Sequence, residues 1–270
     1  MKRLDPFVHL HSHTEYSLFD GISRIGELVS HVKEMGQTAL AITDHGVMYG
    51  AIYLYKECIK QGIKPIIGCE IYVTRGSRFD KSGNGKEKLA HLILLAENNE
   101  GYQNLIKICS KAWTEGYYHR PRADHELLEK YHEGLIVTSA CVGGEVPQAI
   151  LNGDMDEARK VIEFYINTFG KDNYFLEIQN HGLPEEAAVR PVLASLAKEY
   201  GLGLVATNDF HYTKKEDARS QEIKLCISTG KTLDDPYHFH FANDEFYCKS
   251  GDEMRAILGN FPGAIENTRV

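Results

Sequence analysis

Three histidines stand at alternate positions in the stretch HLHSHTEY: His9, His11 and His13. On an extended strand, side chains two apart project from one face roughly 6 to 7 Å apart, so such a run can aim imidazoles at one point, where two of them can share a metal ion. Further donors recur along the chain. They are Asp20 in SLFDG, His45 in AITDHG, Glu70 in IIGCEIYV, His91 in LAHLILLA, Cys141 in VTSACVGGE, and Asp209 with His211 in VATNDFH. A carboxylate such as Glu70 or an imidazole such as His91 inside an apolar run is costly to bury unless something neutralises it or hydrogen-bonds to it, and a metal ion does so economically. Imidazole with carboxylate suits Zn²⁺, Mn²⁺ or Fe²⁺, and a Cys141 thiolate tilts the choice toward Zn²⁺. With His9 set aside, the remaining donors exceed the four ligands of one tetrahedral zinc, which implies two or three ions with a shared carboxylate. Ions grouped in this way bind phosphate oxygens, lower the pKa of a water to about 7 and stabilise entering and leaving oxygens, so phosphoester hydrolysis is the expected chemistry.

The elements that must position these donors are legible as apolar runs. Segments 7–11, 38–43, 64–73, 89–96, 134–140, 174–178 and 201–207 read as strands. Between them, 22–36 places Ile25, Leu28, Val29 and Val32 on one helical stripe. Segment 154–169 does the same with Ala158, Val161, Ile162 and Tyr165, and 185–200 with Ala188, Val192, Leu196 and Tyr200. Seven strands, each followed by a helical or irregular connection, predict an α/β fold of parallel strands joined by right-handed crossovers, with a (β/α) barrel as the leading architecture. Most of the donors then fall at or just past the C-terminal end of a strand, where barrel enzymes assemble their active sites. Two segments do not fit a bare barrel. The Gly- and Lys-rich stretch 74–88 reads as a mobile, solvated loop, and 212–270 holds a helix around 215–229 followed by an aromatic-rich tail. No linker or internal repeat divides the chain, so one domain over 1–270 is expected.

With 270 residues, 43% of them hydrophobic and 25% charged, the chain is globular and has a large core available. A formal net charge of -8 argues against a free-standing nucleic-acid binder. No run of 18 apolar residues occurs, and the start MKRLDPFVHL turns polar too soon for a signal peptide, so a cytoplasmic protein is expected. Six cysteines, Cys58, Cys69, Cys109, Cys141, Cys226 and Cys248, form no CxxC pair. Free thiols are the default, with Cys141 the exception as a ligand.

The remaining polar residues carry plainer readings. His9 reads as packing or as a residue supporting the ligands from behind, and Cys69, on the strand face opposite Glu70, as core. His31, His119, His125, His132 and His181 read as solvated on helices or loops, and His238 and His240 as part of a half-exposed strand. Arg120 and Arg122, in HRPR, are open to phosphate contact or to plain surface solvation.

The motifs LHSHTEYSLFDG, AITDHG, IIGCEIYV, LAHLILLAEN, TSACVGGE and ATNDFH, in this order, resemble those of the polymerase and histidinol phosphatase (PHP) domain family. NNEGYQNLIKICSKA, GLIVTSACVGGEVPQ, FLEIQNHG, GKTLDDP and PGAIENT narrow the resemblance to its polymerase branch, the N-terminal domains of bacterial DNA polymerase III alpha subunits. The resemblance covers essentially the whole chain and implies a distorted seven-fold TIM-like barrel. It implies one ion among His11, His13, Glu70 and Asp209, which would be the catalytic residues. A second ion would share Glu70 with His91 and Cys141, and a third would take Asp20, His45 and His211. At Asp20 and Cys141 the phosphatase branch usually has histidine, while the polymerase branch has residues like these. The resemblance further implies Zn²⁺, Mn²⁺, Fe²⁺ or Co²⁺ as cofactor and 3′ to 5′ exonuclease activity on a DNA end or single strand. The partners it implies are the rest of the polymerase subunit and other replisome proteins, in a longer polypeptide that would supply the polymerising activity. Two other functions compete: a docking or structural module with stabilising metals, and a free-standing phosphomonoesterase.

Overall fold

The computed structural model describes residues 5–82 and 89–269. Seven strands form its sheet: β1 Ala39–Ile42, β2 Lys64–Val73, β3 Ala90–Ala96, β4 Arg122–Ala123, β5 Leu135–Thr138, β6 Tyr174–Ile178 and β7 Gly203–Ala206. They lie in the order β1-β2-β3-β5-β6-β7, with β4 added on β2. The pairs β1/β2, β5/β6 and β6/β7 are parallel, as expected. Against the expectation of parallel strands throughout, β3 runs antiparallel to both β2 and β5. The described part of the connection, 74–82, holds no crossover helix, and antiparallel neighbours need none.

Segment 7–11, expected as the first strand, forms no ladder. His9 makes a single bridge to Leu40 on one side, and Ser12, just past the segment, one to Phe210 on the other. The amide of Ala41 donates to the His9 carbonyl (2.9 Å), and that of His13 to the Phe210 carbonyl (2.9 Å). The segment thus joins β1 to the end of β7 and curls the sheet into a distorted barrel.

Helices cover the outside. Helix α1 (Ile25–Met35) buries Ile25, Leu28, Val29 and Val32 and ends at Gly36. That glycine has φ +86°, the left-handed conformation of a helix C-cap. Helices α2 (Ala51–Gln61), α3 (Asn99–Thr114), α4 (His125–Lys130) and α5 (Glu145–Leu151) follow. Then come α6 (Met155–Phe169), α7 (Pro184–Tyr200), α8 (Ala218–Thr229) and α9 (Gly251–Leu258). Side chains alternate across each strand and divide the core into an outer and an inner set. Leu40 and Ile42 of β1 pack with α1 and α2. Cys69 and Ile71 of β2, Leu92 and Leu94 of β3, and Tyr174 and Leu176 of β6 join the outer helices. Ala39, Ala41, Ile93, Leu95 and Val205 face inward with Val8 and Leu10. The inward register therefore also includes Glu70 and Tyr72 of β2, His91 of β3 and Glu177 of β6.

Several expectations for loops are corrected. In the loop 74–88, residues 75–77 and 79–82 are exposed, as expected of a solvated loop, but buried Arg78 anchors it, while 83–88 lie outside the described residues. Buried Arg78 pairs with Asp124 (2.8 Å) and Glu115 (2.9 Å), which ties this loop to the start of α4. His238 and His240 lie in turns and irregular chain, not in a strand, with His238 held by Glu222 at 2.8 Å. All six cysteines are unpaired. Among the described residues no helix is long and apolar enough to cross a membrane.

Candidate metal centre

The inward positions of β2 and β3 and the loops at the strand ends bring all nine expected donors to one rim. His11 and His13 follow the segment that closes the barrel. The Asp209 carboxylate lies 3.1 Å from His11 Nε2 and 3.0 Å from His13 Nε2. Glu70 lies at the middle. Its carboxylate is 3.6 Å from His11, 3.2 Å from His13, 2.7 Å from His45 Nδ1 and 2.7 Å from His91 Nδ1. Cys141 Sγ is 3.5 Å from His91 Nδ1. On the far side Asp20 stands 3.1 Å from His45 Nε2 and 3.9 Å from His211 Nε2. Three overlapping sets could each hold an ion: His11, His13 and Glu70; Glu70, His91 and Cys141; and His13, His45 and His211. His13 thus reaches two of the sets, a sharing that sequence spacing does not reveal.

The backbone is strained where it delivers two of these groups. Asp209 has φ +39°, and Ala140, beside Cys141, has φ +59°. Such left-handed conformations cost a residue with a Cβ about 1 kcal/mol or more and persist where the surroundings over-determine them.

Buried polar atoms in a folded protein find partners, so those that do not need a reason. Here His11 Nε2, His13 Nε2, His45 Nδ1, Asp20 Oδ1, Glu70 Oε2 and Asp209 Oδ1 are buried with no partner in hydrogen-bond geometry. The histidine, Glu70 and Asp209 atoms of this set each lie 2.7 to 3.2 Å from another of the set yet are not aligned as hydrogen bonds; they surround a common space, as ligands of cations do. The donor set fits divalent ions.

A second layer fixes the direction of these ligands. His11 Nδ1 bonds to Glu177 Oε1 at 2.7 Å. The Ser17 hydroxyl donates to Asp44 (2.9 Å) and accepts from His13 Nδ1 (2.9 Å). His211 Nδ1 donates to the Asp209 carbonyl (2.9 Å). With Nδ1 as donor in each ring, Nε2 presents its lone pair to the centre. Glu177, buried on β6, also accepts from Thr207 (2.5 Å), Gln179 (2.8 Å) and Thr138. Neither Glu177 nor Ser17 is among the sequence-derived candidates. Glu177 carried the same signal as Glu70, a carboxylate inside the apolar run YFLEI.

The charges are strongly coupled. Burial pushes the Glu70 carboxyl up, but His45, His91 and His11 override it and hold it well below the usual range. Asp209 is likewise buried and held well below by His11, His13 and His211. Burial pulls His11 down, and Asp209, Glu177 and Glu70 raise it well above its ordinary value. The metal-free cluster therefore gathers protons that bound cations would replace.

The plainer readings divide. His9 is buried, away from the rim, with Nε2 donating to the Lys249 carbonyl (2.8 Å). Cys69 is core. His119 is exposed, while His31, His125 and His132 are half-buried. His181, expected in solvent, is buried between Glu186 (2.6 Å) and the Asn208 carbonyl (2.6 Å), where it braces the loop that carries Asp209.

Residues 9–181 match the family described as PHP domain. The chain is 48% identical over 97% of its length to the DNA polymerase III subunit alpha of Treponema pallidum. It is 49% identical over 93% of its length to that of Thermus aquaticus. It spans only about a fifth of these relatives, 22% and 21% of their lengths. Its fold is similar to that of a Bifidobacterium adolescentis protein assigned as a metal-dependent phosphoesterase, with TM-score 0.50 and 15% identity over 94% of this chain and 96% of the other. Family match and fold agree with the shared rim of donors, and the chain belongs to the PHP domain family.

Proposed function

We propose that this chain is the PHP domain, over 1–270, of a cytoplasmic bacterial DNA polymerase III alpha subunit, and that it hydrolyses phosphodiesters at the 3′ end of DNA. The observation that carries the reading is the set of buried donor atoms that converge without partners of their own. A purely structural domain has no physical reason to keep so many mutually consistent ligands. His11, His13, Glu70 and Asp209 would hold one ion and face the scissile phosphate; Glu70, His91 and Cys141 a second; Asp20, His45 and His211 a third. Bound divalent ions, Zn²⁺, Mn²⁺, Fe²⁺ or Co²⁺, supply Lewis acidity toward phosphate oxygens and an activated water. The chain's own contribution is orientation. Glu177 and Ser17 fix the rings of His11 and His13, and Glu70 and Asp209 stay ionised at neutral pH. The inward strand faces keep the floor of the site dry. The rest of the polymerase would deliver the DNA end, since an acidic chain of net charge -8 attracts the phosphate backbone poorly by itself.

The test compares rates on single-stranded DNA, on a nitrophenyl phosphodiester and on a nitrophenyl phosphomonoester, in the purified protein and in His11→Ala, with Mn²⁺, Zn²⁺ or Co²⁺. Hydrolysis of DNA from the 3′ end, lost on chelation and reduced at least ~10³-fold in the variant, is expected. A protein that binds metal without turning over any of the three points to the docking module, and one that takes only the monoester points to a small-molecule phosphatase.

A further inference from the structure

The segment GYYHRPRAD carries two arginines that sequence alone cannot tell apart, and their surroundings separate them. Arg122 is buried, and its guanidinium is consumed by backbone carbonyls: Gly116 (2.9 Å), Arg78 (3.1 Å) and Asp80 (2.7 Å). It holds the loop together. Arg120 meets no carboxylate among the ion pairs of the described residues. Instead its guanidinium carbon lies 4.2 Å from the centre of the Phe19 ring and 5.8 Å from that of Tyr72. Stacking uses the flat face of a guanidinium and leaves its edge donors free.

The position of those donors is constrained. The amide of Tyr118 donates to the Arg120 carbonyl at 3.0 Å, closing a tight turn with His119 at φ +61°. Arg122 then pairs with Tyr72 in the sheet. Phe19 precedes Asp20, and the Tyr72 ring packs against His45 and His91 with centroids 6.0 and 5.4 Å apart. Arg120 lines one cleft of about 430 Å³ together with Asp20, His45, Tyr72 and His91. That volume admits a single nucleotide unit. The walls near the metal donors are acidic or imidazole; Arg122 also lines the cleft but is held by backbone carbonyls, whereas the Arg120 guanidinium is stacked on Phe19 with its edge open.

We propose that Arg120 is the phosphate-positioning residue of this site: braced on Phe19, it donates to a non-bridging oxygen of the phosphate being cleaved, on the side opposite the metal donors. That this phosphate is cleaved rests on the phosphoesterase reading, whereas its binding by Arg120 stands by itself. It makes the substrate class a phosphate ester whose phosphate enters between Arg120 and the rim.

The test titrates inorganic phosphate into the metal-loaded protein and into Arg120→Ala and Arg120→Lys, by calorimetry, with metal content and thermal unfolding measured for each. Loss of a charge-assisted bond should weaken phosphate binding roughly 10- to 100-fold in Arg120→Ala at unchanged metal content. Arg120→Lys should recover only part, because an ammonium does not stack flat on Phe19. In hydrolysis assays the loss should appear mainly in KM for the diester. Unchanged phosphate affinity in Arg120→Ala, or a metal-loaded protein that binds no phosphate, overturns the assignment. Arg120-dependent phosphate binding without hydrolysis supports it and sinks the phosphoesterase reading instead.

Discussion

Glu177 decides which way His11 faces, although it touches no proposed ion. Its carboxylate takes the Nδ1 proton of that ring while two threonines and a glutamine take its remaining lone pairs. Glu177→Gln keeps the volume and part of the network but can offer Nδ1 an amide donor in place of an acceptor. A second-layer change of this kind should lower metal affinity by roughly 10- to 100-fold while the fold is kept. Competition titration with Mn²⁺ measures it, and equal affinity in variant and wild type would show that Glu177 does not orient the ligand. At this scale most of the nine donors could be read from the chain because a charged or imidazole side chain in an apolar strand, or just past its end, stands out against its neighbours; Asp20, in the loop SLFDG, lacks that signal. Ser17 and Asp44 could not, since their part depends on how two loops meet. His181 misled for the opposite reason: a histidine between Asn180 and Gly182 looks solvated until Glu186 and the Asn208 carbonyl close on it.

Among the elements, six of the seven expected strand positions and the helical stripes followed from periodicity, while the two-residue β4 was not expected. Strands 64–73 and 174–178 have the bounds expected, and helix α6 starts one residue later than expected. Direction did not follow. The pattern within β3 is the same whether the strand runs up or down, so the antiparallel pairing to β2 and β5 could not be read from it. Nor did the failure of 7–11 to form a ladder follow, because its backbone changes partner from Leu40 to Phe210 within three residues. One close approach between elements is testable. Gly101, in the first turn of α3, lies against the turn that leads into β5, and a Cβ there would sit 1.7 Å from the Gly134 carbonyl oxygen. Backbone cannot yield as a side-chain tip does, so Gly101→Ala should cost about 1–3 kcal/mol in urea unfolding. A variant as stable as the parent would mean that α3 can shift away at no cost.

For the whole molecule, the same burial that seals the barrel makes it sensitive to acid. Burial holds the His9 imidazole at a pKa of about 4 against an ordinary 6.5, with its bond to the Lys249 carbonyl opposing only in part. The unfolded chain therefore takes up this proton first as the pH falls. Stability contributed by neutral His9 is full above pH 6.5, declines between 6.5 and about 4, and is flat below; the gap is on the order of 3 kcal/mol. His9→Gln should unfold with a shallower pH dependence across that window, and a slope identical to wild type would assign the acid sensitivity elsewhere. The central claim is also a property of the whole molecule, because donors from residue 11 to residue 211 meet only when the barrel closes. Glu70 is the group common to two of the proposed ion sites. Elemental analysis of the purified protein and of Glu70→Gln after dialysis against saturating Zn²⁺ or Mn²⁺ tests this most directly. The account predicts two or three ions per chain in the wild type and the loss of at least one in the variant, with the fold retained. Less than one ion per chain in the wild type, or an undiminished count in Glu70→Gln, would contradict it.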